Sequence, residues 1–182
     1  MGSVRACSIE RRELWDISPK ALIHILKGEL RALVTTADNL GLRPAARLNA
    51  TADIFWERKA PELFAEFSRV TFYDYTKAPD RVRPRAELPA NYHLTSSWSP
   101  SWTAADVHAE CKAGRSVAIP FAPLAAEDRG TLPSKFGRRR IVDGDAHDLM
   151  FLHRRGSVIG LQFKGAGGAR PVFAPGAFAH PF

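Results

Sequence analysis

The chain has 182 residues, enough for one domain that buries a sizeable core. Hydrophobic residues make up 45% of the sequence and charged residues 25%, which excludes a chain that is disordered along its whole length. The formal net charge is +7, so the surface favours polyanionic partners, above all a nucleic acid or a nucleoprotein complex.

Apolar runs and cysteines favour a cytoplasmic protein. No apolar run approaches the roughly 20 residues that a membrane-spanning helix needs, so no membrane partner is expected. Charged residues between Arg5 and Glu13 interrupt any signal-peptide pattern. The two cysteines, Cys7 and Cys111, are too few for a disulfide framework or a four-cysteine zinc site, which is typical of a reducing compartment.

The first predicted element is a helix over residues 18–40. Ser18 followed by Pro19 is typical of a helix start, because serine caps free N–H groups and proline fits the first helical turn. Apolar residues at helical spacing follow, and Gly41 marks the end because glycine adopts the left-handed conformation that closes many helices. We expect this helix to pack on a sheet or on a barrel wall.

Strand and helix patterns then alternate along the chain. The strand candidates are residues 45–51, 70–75, 92–97, 117–121, 140–142 and 158–164, and helical patterns cover residues 61–67 and 103–112. This alternation predicts an α/β fold whose strands are mostly parallel and joined by right-handed crossovers. We expect either a partial β/α-barrel or a small open sheet of five or six strands with flanking helices.

The predicted domain covers residues 1–164, and the last stretch is different in composition. Residues 165–182 read GAGGARPVFAPGAFAHPF and are rich in Gly, Ala and Pro. We predict a C-terminal tail there, whose Phe173, Phe178 and Phe182 could dock on the domain or on a partner.

Polar residues follow the first strand in RLNATADIFWE, where Asn49, Thr51 and Asp53 alternate and would share one face of an extended chain. They could either line a site or cap the helix that follows. Ligands gather at the carboxyl ends of parallel strands, so these three residues and their counterparts on the next two strands are candidate ligand-binding groups. The counterparts are Asp74, Thr76 and Lys77 after the second strand and Thr95, Ser96 and Ser97 after the third.

A second polar group lies in IVDGDAHD, which contains Asp143, Asp145, His147 and Asp148. Carboxylates and imidazoles suit divalent metals, but DGD is also typical of a tight turn and lacks the spacing of a calcium loop. We predict a turn that directs His147 toward the strand ends, with Asp143 and Asp145 as ligand-binding residues and no assigned metal. Asp74 and His147 are the candidate acid–base pair of a small enzyme.

Three basic clusters are candidate nucleic-acid-binding segments. They comprise Arg81, Arg83 and Arg85 in a Pro-rich loop, Lys135, Arg138, Arg139 and Arg140 in SKFGRRR, and Arg154 and Arg155 in LHRRGS. Arginines contact phosphates, and exposed aromatic residues such as Trp98 and Trp102 could stack on bases. Solvated loops over half-buried tryptophans are the alternative interpretation.

Several segments in chain order resemble a family of phage- and plasmid-borne proteins over residues 41–165. They are RLNATADI, PELF, FYDYTK, NYHLT, IVDGDAHDLMFL and VIGLQFKG. Longer relatives look like divergent radical-SAM-type barrels with a cysteine-rich segment ahead of the first strand. This chain has only Cys7 there, so an iron–sulfur cluster held by three of its cysteines is excluded and no cofactor is expected.

The resemblance implies an accessory protein of a phage or mobile element, while the residues favour binding over catalysis. Our main hypothesis is binding of a nucleic acid or a host nucleoprotein complex, including a defence complex such as CRISPR, through the Arg-rich loops. The alternative is a small enzyme that acts on a phosphate-bearing or nucleotide substrate at the strand ends. A third hypothesis is inhibition of a host protein partner by the aromatic tail or the tryptophans.

Overall fold

A computed structural model describes residues 13–49, 53–78, 88–122, 131–163 and 180–181. The helices are α1 (Pro19–Leu40), α2 (Trp56–Lys59), α3 (Pro61–Glu66) and α4 (Ala104–Lys112). The strands are β1 (Ala45–Ala46), β2 (Thr71–Thr76), β3 (Tyr92–Ser97), β4 (Val117–Ala122), β5 (Lys135–Phe136), β6 (Arg139–Asp143), β7 (Val158–Gln162) and β8 (His180–Pro181). A 3-10 turn covers Met150–Leu152.

The strands lie in the order β1-β2-β3-β4-β7-β6-β5, and β8 pairs with β4. Among the described residues, each pair with an assigned register is parallel except β5–β6, which is an antiparallel hairpin. The prediction of an α/β fold with an open, mostly parallel sheet and flanking helices is confirmed. The insertion of β7 between β4 and β6 was not predicted, since sequence spacing carries no information about strand order.

Helix α1 forms where the sequence predicts it. The Ser18 hydroxyl accepts a hydrogen bond from the Ala21 N–H at 3.4 Å, and Gly41 closes the helix with a φ of 66°. The apolar residues at helical spacing include the buried face of the helix, which consists of Leu22, Leu26, Leu30 and Ala37.

Three short elements differ from the prediction. Strands β5 and β8 and helix α2 were missed, because two to four residues are too few to show the periodicity of a strand or a helix. The first strand is also shorter than expected. Its described ladder ends at Ala46, and Asn49 makes hydrogen bonds with side chains of later elements.

The described chain divides into two compact units. The first contains the residues up to 74 together with 88–93, and the second contains residues 75–78, 94–122, 131–163 and 180–181. In the first unit, the Phe64 ring contacts the rings of Phe72 and Tyr92 at 5.0 and 4.7 Å between centroids. The expected separation of a 1–164 domain from a tail stays a prediction, since residues 164–179 lie outside the described ranges.

The second unit has its own core between α4 and strands β4 and β7. It contains Trp98, Val107, Cys111, Val117, Ile119, Phe121 and Val158. Cys111 is a free thiol in this core, and burial raises its pKa. It is therefore a packing residue with little thiolate at neutral pH.

Substitution of two glycines by alanine should change the free energy of unfolding in opposite directions. A Cβ on Gly28 in α1 would meet no atom within 4 Å, so Gly28→Ala should raise the free energy of unfolding by about 0.5 to 1 kcal/mol. Gly156 has a φ of 68°, and a Cβ there would lie 2.3 Å from the Cys111 carbonyl oxygen. Gly156→Ala should lower the free energy of unfolding by about 2 kcal/mol or more. Urea unfolding measures both variants, and changes of the same sign would contradict these environments.

Candidate functional site

A buried hydrogen-bond network joins the segment after β1 to β2 and β3 in the first unit. The Asp74 carboxylate accepts from the Asn49 backbone N–H at 2.8 Å, from the Asn49 amide at 3.3 Å and from the Tyr92 hydroxyl at 2.9 Å. The Asn49 amide oxygen accepts from the Ile54 N–H at 3.1 Å and from the Trp56 indole at 3.0 Å. Its nitrogen also donates to the Ile54 carbonyl at 2.9 Å. Asp74 is 1% exposed and Asn49 3% exposed.

The network explains why a strand-like segment carries a polar side chain at Asn49. Its amide donates twice and accepts twice, so its hydrogen-bonding capacity is used by protein groups. These bonds tie Asn49 to Ile54 and fix the Trp56 ring. Tyr92 and Trp56 were missed as members of the network, because no sequence spacing connects them to Asn49.

The other residues expected at the strand ends have different environments. Thr95 is buried in β3, and Asp53 and Lys77 are exposed. Thr51 lies outside the described residues. The structure therefore brings Asn49 and Asp74 into contact, and a ligand-binding role for the set stays a prediction.

The DGD sequence forms a bend directly after β6 that is closed by an aspartate side chain, and the tight turn between adjacent strands that it predicts stays a prediction. The Asp143 carboxylate accepts from the Asp145 N–H at 2.8 Å, and the Asp145 carboxylate accepts from the Gln162 N–H at 2.6 Å. The Gly144 N–H donates to the Gly160 carbonyl at 2.9 Å. Both carboxylates therefore have a structural role in holding the bend beside the end of β7.

His147 stacks on His153, with ring centroids 5.0 Å apart and planes inclined by 27°. The Nδ1 atom of His147 accepts a hydrogen bond from the Leu149 N–H at 3.3 Å. Burial lowers the pKa of His153, His147 lowers it further, and Asp143 opposes the shift. The environment of His153 thus favours its uncharged form.

The structure places the two candidate acid–base residues in separate units, Asp74 in the first and His147 in the second. Their joint catalytic role stays a prediction. In the described ranges, no three His, Cys, Asp or Glu side chains lie close enough to hold a metal ion.

Strands β5 and β6 form a hairpin that carries much of the second basic cluster. Gly137, with a φ of 56°, and Arg138 form its two-residue turn. Lys135 lies directly opposite Arg140, and both side chains are exposed. Cross-strand partners share a face, so two positive charges are held side by side. Like charges in this arrangement repel each other and destabilise a hairpin.

The third basic cluster lies beside this hairpin. Strand β6 runs parallel to β7 with Ile141 opposite Val158, which places Arg140 level with Ser157. The Arg139 guanidinium donates to the Gly156 carbonyl at 2.9 Å, so the turn that leads into β7 touches the start of β6. We define the basic edge as the exposed residues Lys135, Arg138, Arg140, Arg154 and Arg155.

The charges of the basic edge are not neutralised within the described part of the chain. None of its five side chains forms an ion pair or a hydrogen bond there. By contrast, Arg115 of the same unit pairs with Glu110, with 2.8 Å between Nε and a carboxylate oxygen. The basic edge therefore presents free cationic groups, whereas Arg115 does not.

Arg139 has a different role from its neighbours. It is half-buried, and its Nε donates to the Nδ1 atom of His108 in α4 at 3.3 Å, besides the bond to Gly156. It joins the hairpin, the turn before β7 and α4. His108 and Gly156 were not predicted as its partners, because the contacts span many residues of sequence.

The predicted nucleic-acid interface also included the arginines of the Pro-rich loop and two tryptophans. Arg81, Arg83 and Arg85 lie outside the described residues. Trp98 is 6% exposed, and its indole N–H points to the Trp102 carbonyl at 3.4 Å. Trp98 is thus part of the core, and its expected stacking on bases would require it to leave that core.

A family model described as gene product 88 matches residues 1–174. The chain belongs to the gene product 88 family. The match fits the phage-like family that the motifs resemble and supports a phage-type accessory protein. The expected relationship of longer relatives to radical-SAM barrels stays a prediction.

No curated protein and no solved structure matches this gene product 88 chain. In the part of the chain that the structure describes, no helix is both long enough and apolar enough to cross a membrane.

Removal of the Asn49 amide should destabilise this family member strongly. Asn49→Ala removes the partner of the Trp56 indole, the side-chain partner of the Ile54 N–H and carbonyl, and one of the hydrogen bonds of the Asp74 carboxylate, so it should lower the free energy of unfolding by about 2 to 4 kcal/mol. Asn39→Ala at the exposed end of α1 is the matched control and should change it by less than about 0.5 kcal/mol. Urea unfolding compares them, and similar values would show that the network does not stabilise the fold.

Alanine substitution of the two adjacent arginines of β6 should change the free energy of unfolding by different amounts. Arg139→Ala removes two hydrogen bonds and should lower the free energy of unfolding by about 1 to 2 kcal/mol. Arg140→Ala should leave it within about 0.5 kcal/mol, because the Arg140 side chain has no partner among the described residues. Calorimetry tests this order, and a larger loss in Arg140→Ala would contradict it.

Proposed function

We propose that this protein is an accessory factor of a phage or mobile element that binds a nucleic acid, or the nucleic acid of a host nucleoprotein complex, through the basic edge. The observation that carries the proposal is the pairing of Lys135 with Arg140, two exposed like charges held opposite each other. Phosphate groups placed between such charges would turn their repulsion into attraction.

Two further features support a polyanionic partner. The register of β6 on β7 and the Arg139–Gly156 hydrogen bond bring the turn that carries Arg154 and Arg155 next to the start of β6, so two basic segments of the chain lie side by side. The net charge of +7 gives long-range attraction to polyanions as well. A host defence complex that contains nucleic acid, such as a CRISPR complex, has the same phosphate chemistry and is one proposed form of the partner.

The alternative, a small enzyme at the strand ends, receives less support from the geometry. A substrate would have to reach Asp74 and Asn49, but both are buried and their hydrogen bonds hold Ile54 and the Tyr92 hydroxyl. Buried polar networks of this kind commonly stabilise one conformation.

Charge reversal at the paired positions should remove most of the binding. Lys135→Glu/Arg140→Glu should weaken binding of labelled oligonucleotides by at least about tenfold, because each position loses a phosphate contact and gains a repulsive charge. The slope of log affinity against log salt should become shallower by about two phosphate contacts for duplex DNA. Fluorescence anisotropy between about 50 and 200 mM salt measures both quantities.

The matched control is Lys20→Glu/Arg43→Glu, at two exposed positions of the first unit. Each reversal lowers the charge by two, so both double variants change from +7 to +3. The control should keep at least half of the wild-type affinity. Equal losses in the two variants would mean that net charge, and not the basic edge, drives binding. Unchanged binding with new self-association in the first variant would mean that Lys135 and Arg140 only protect the sheet edge.

A further inference from the structure

Strand β8 brings one histidine into the aromatic part of the second core. It pairs in parallel with the end of β4, with Phe121 opposite His180. The imidazole of His180 contacts three rings edge-to-face, with centroids 5.5 Å from Trp98, 5.8 Å from Phe121 and 5.0 Å from Phe136. Such contacts stabilise beyond the area that they bury.

One of the two ring nitrogens of His180 makes no hydrogen bond with the described residues. Its Nδ1 atom is buried and has no hydrogen-bond partner among the described residues. An unsatisfied buried nitrogen is unfavourable, so ring packing, and not hydrogen bonding at this atom, holds His180 in place. A ring without that nitrogen should dock at least equally well.

One of the three rings belongs to the basic hairpin. Phe136 lies in β5 directly opposite Arg139, on the face that does not carry Lys135 and Arg140. The hairpin has only two registered residue pairs, and a short two-stranded hairpin is marginal by itself. Strand β6 is also held by its pairing with β7, so it is the position of β5 that depends on what Phe136 contacts, and Phe136 contacts Phe121 and His180.

We propose that docking of β8 holds the basic hairpin in its binding position, so that docking of His180 and binding of a polyanion are thermodynamically coupled. The coupling rests on the proposed function, since it concerns the same basic edge. His180 is a positioning residue in this proposal, because it acts on the basic edge through Phe136 and does not itself bind the polyanion. Linkage is reciprocal, so a bound polyanion should also stabilise the docked β8.

The test uses the full chain with two substitutions at one position. His180→Asp places a carboxylate among three aromatic rings and should undock β8. It should weaken binding of a labelled single-stranded or duplex oligonucleotide by about 5- to 20-fold, although no basic-edge residue is changed. His180→Phe keeps the ring without the unsatisfied nitrogen, so it should bind within about twofold of the wild type.

Amide hydrogen exchange gives an independent measure of docking. His180→Asp should accelerate exchange in β4 near Ala122 and in residues 135–140, and a bound oligonucleotide should slow exchange in both places in the wild type. Leu30→Ala, in the buried face of α1 in the first unit, is the control for general loss of stability. It should lower the unfolding temperature while the affinity stays within about twofold.

The outcomes separate this inference from the proposed function. If His180→Asp undocks β8 but binds the oligonucleotide like the wild type, the coupling is wrong and the binding function stands. If the wild-type chain binds no oligonucleotide, the proposed function fails. Hydrogen exchange in residues 135–140 then tests whether docking of β8 holds the hairpin in position. Faster exchange in His180→Asp supports this role of β8, and unchanged exchange overturns it.

Discussion

The parallel pairing of β6 with β7, and of β7 with β4, is the constraint on which the second unit depends. Parallel strands start at the same end of a sheet, so the segments that lead into them become neighbours. In this chain those segments are the β5–β6 hairpin and the turn with Arg154 and Arg155. A topology of three adjacent strands thereby collects positive charge from separate parts of the sequence. The Arg139–Gly156 hydrogen bond fixes the contact between them.

Burial and hydrogen bonding divide the polar residues into two classes. Asn49, Asp74, Asp143 and Asp145 direct their side chains to protein groups and hold loops at the strand ends. The residues of the basic edge have no such partners in the described chain and remain available to a ligand. The same distinction separates Arg139, which is half-buried, from Arg140, which is exposed. Residue type alone predicts neither difference, because an arginine suits both a structural and a binding role.

The aromatic cluster around His180 links the core to the basic edge. Phe136 and Lys135 are adjacent residues of β5 and lie on opposite faces of the hairpin. Packing of Phe136 on one face therefore sets the position of the charges on the other face. A short hairpin has little stability of its own and takes its geometry from such packing. The last described strand therefore belongs to the architecture of the second unit, whatever role the aromatic residues before it have.

The sequence by itself determined the local elements and the broad class of the protein. The Ser18 cap, the Gly41 stop and the short apolar runs of β2, β3, β4 and β7 depend on neighbouring residues, so they were predictable. The family also follows from sequence, over residues 1–174. Only the tertiary structure decided the position of β7 between β4 and β6, the addition of β8 and the burial of Asn49 against Asp74. These contacts join residues far apart in the chain, and their free energy comes from packing and desolvation that no local pattern records.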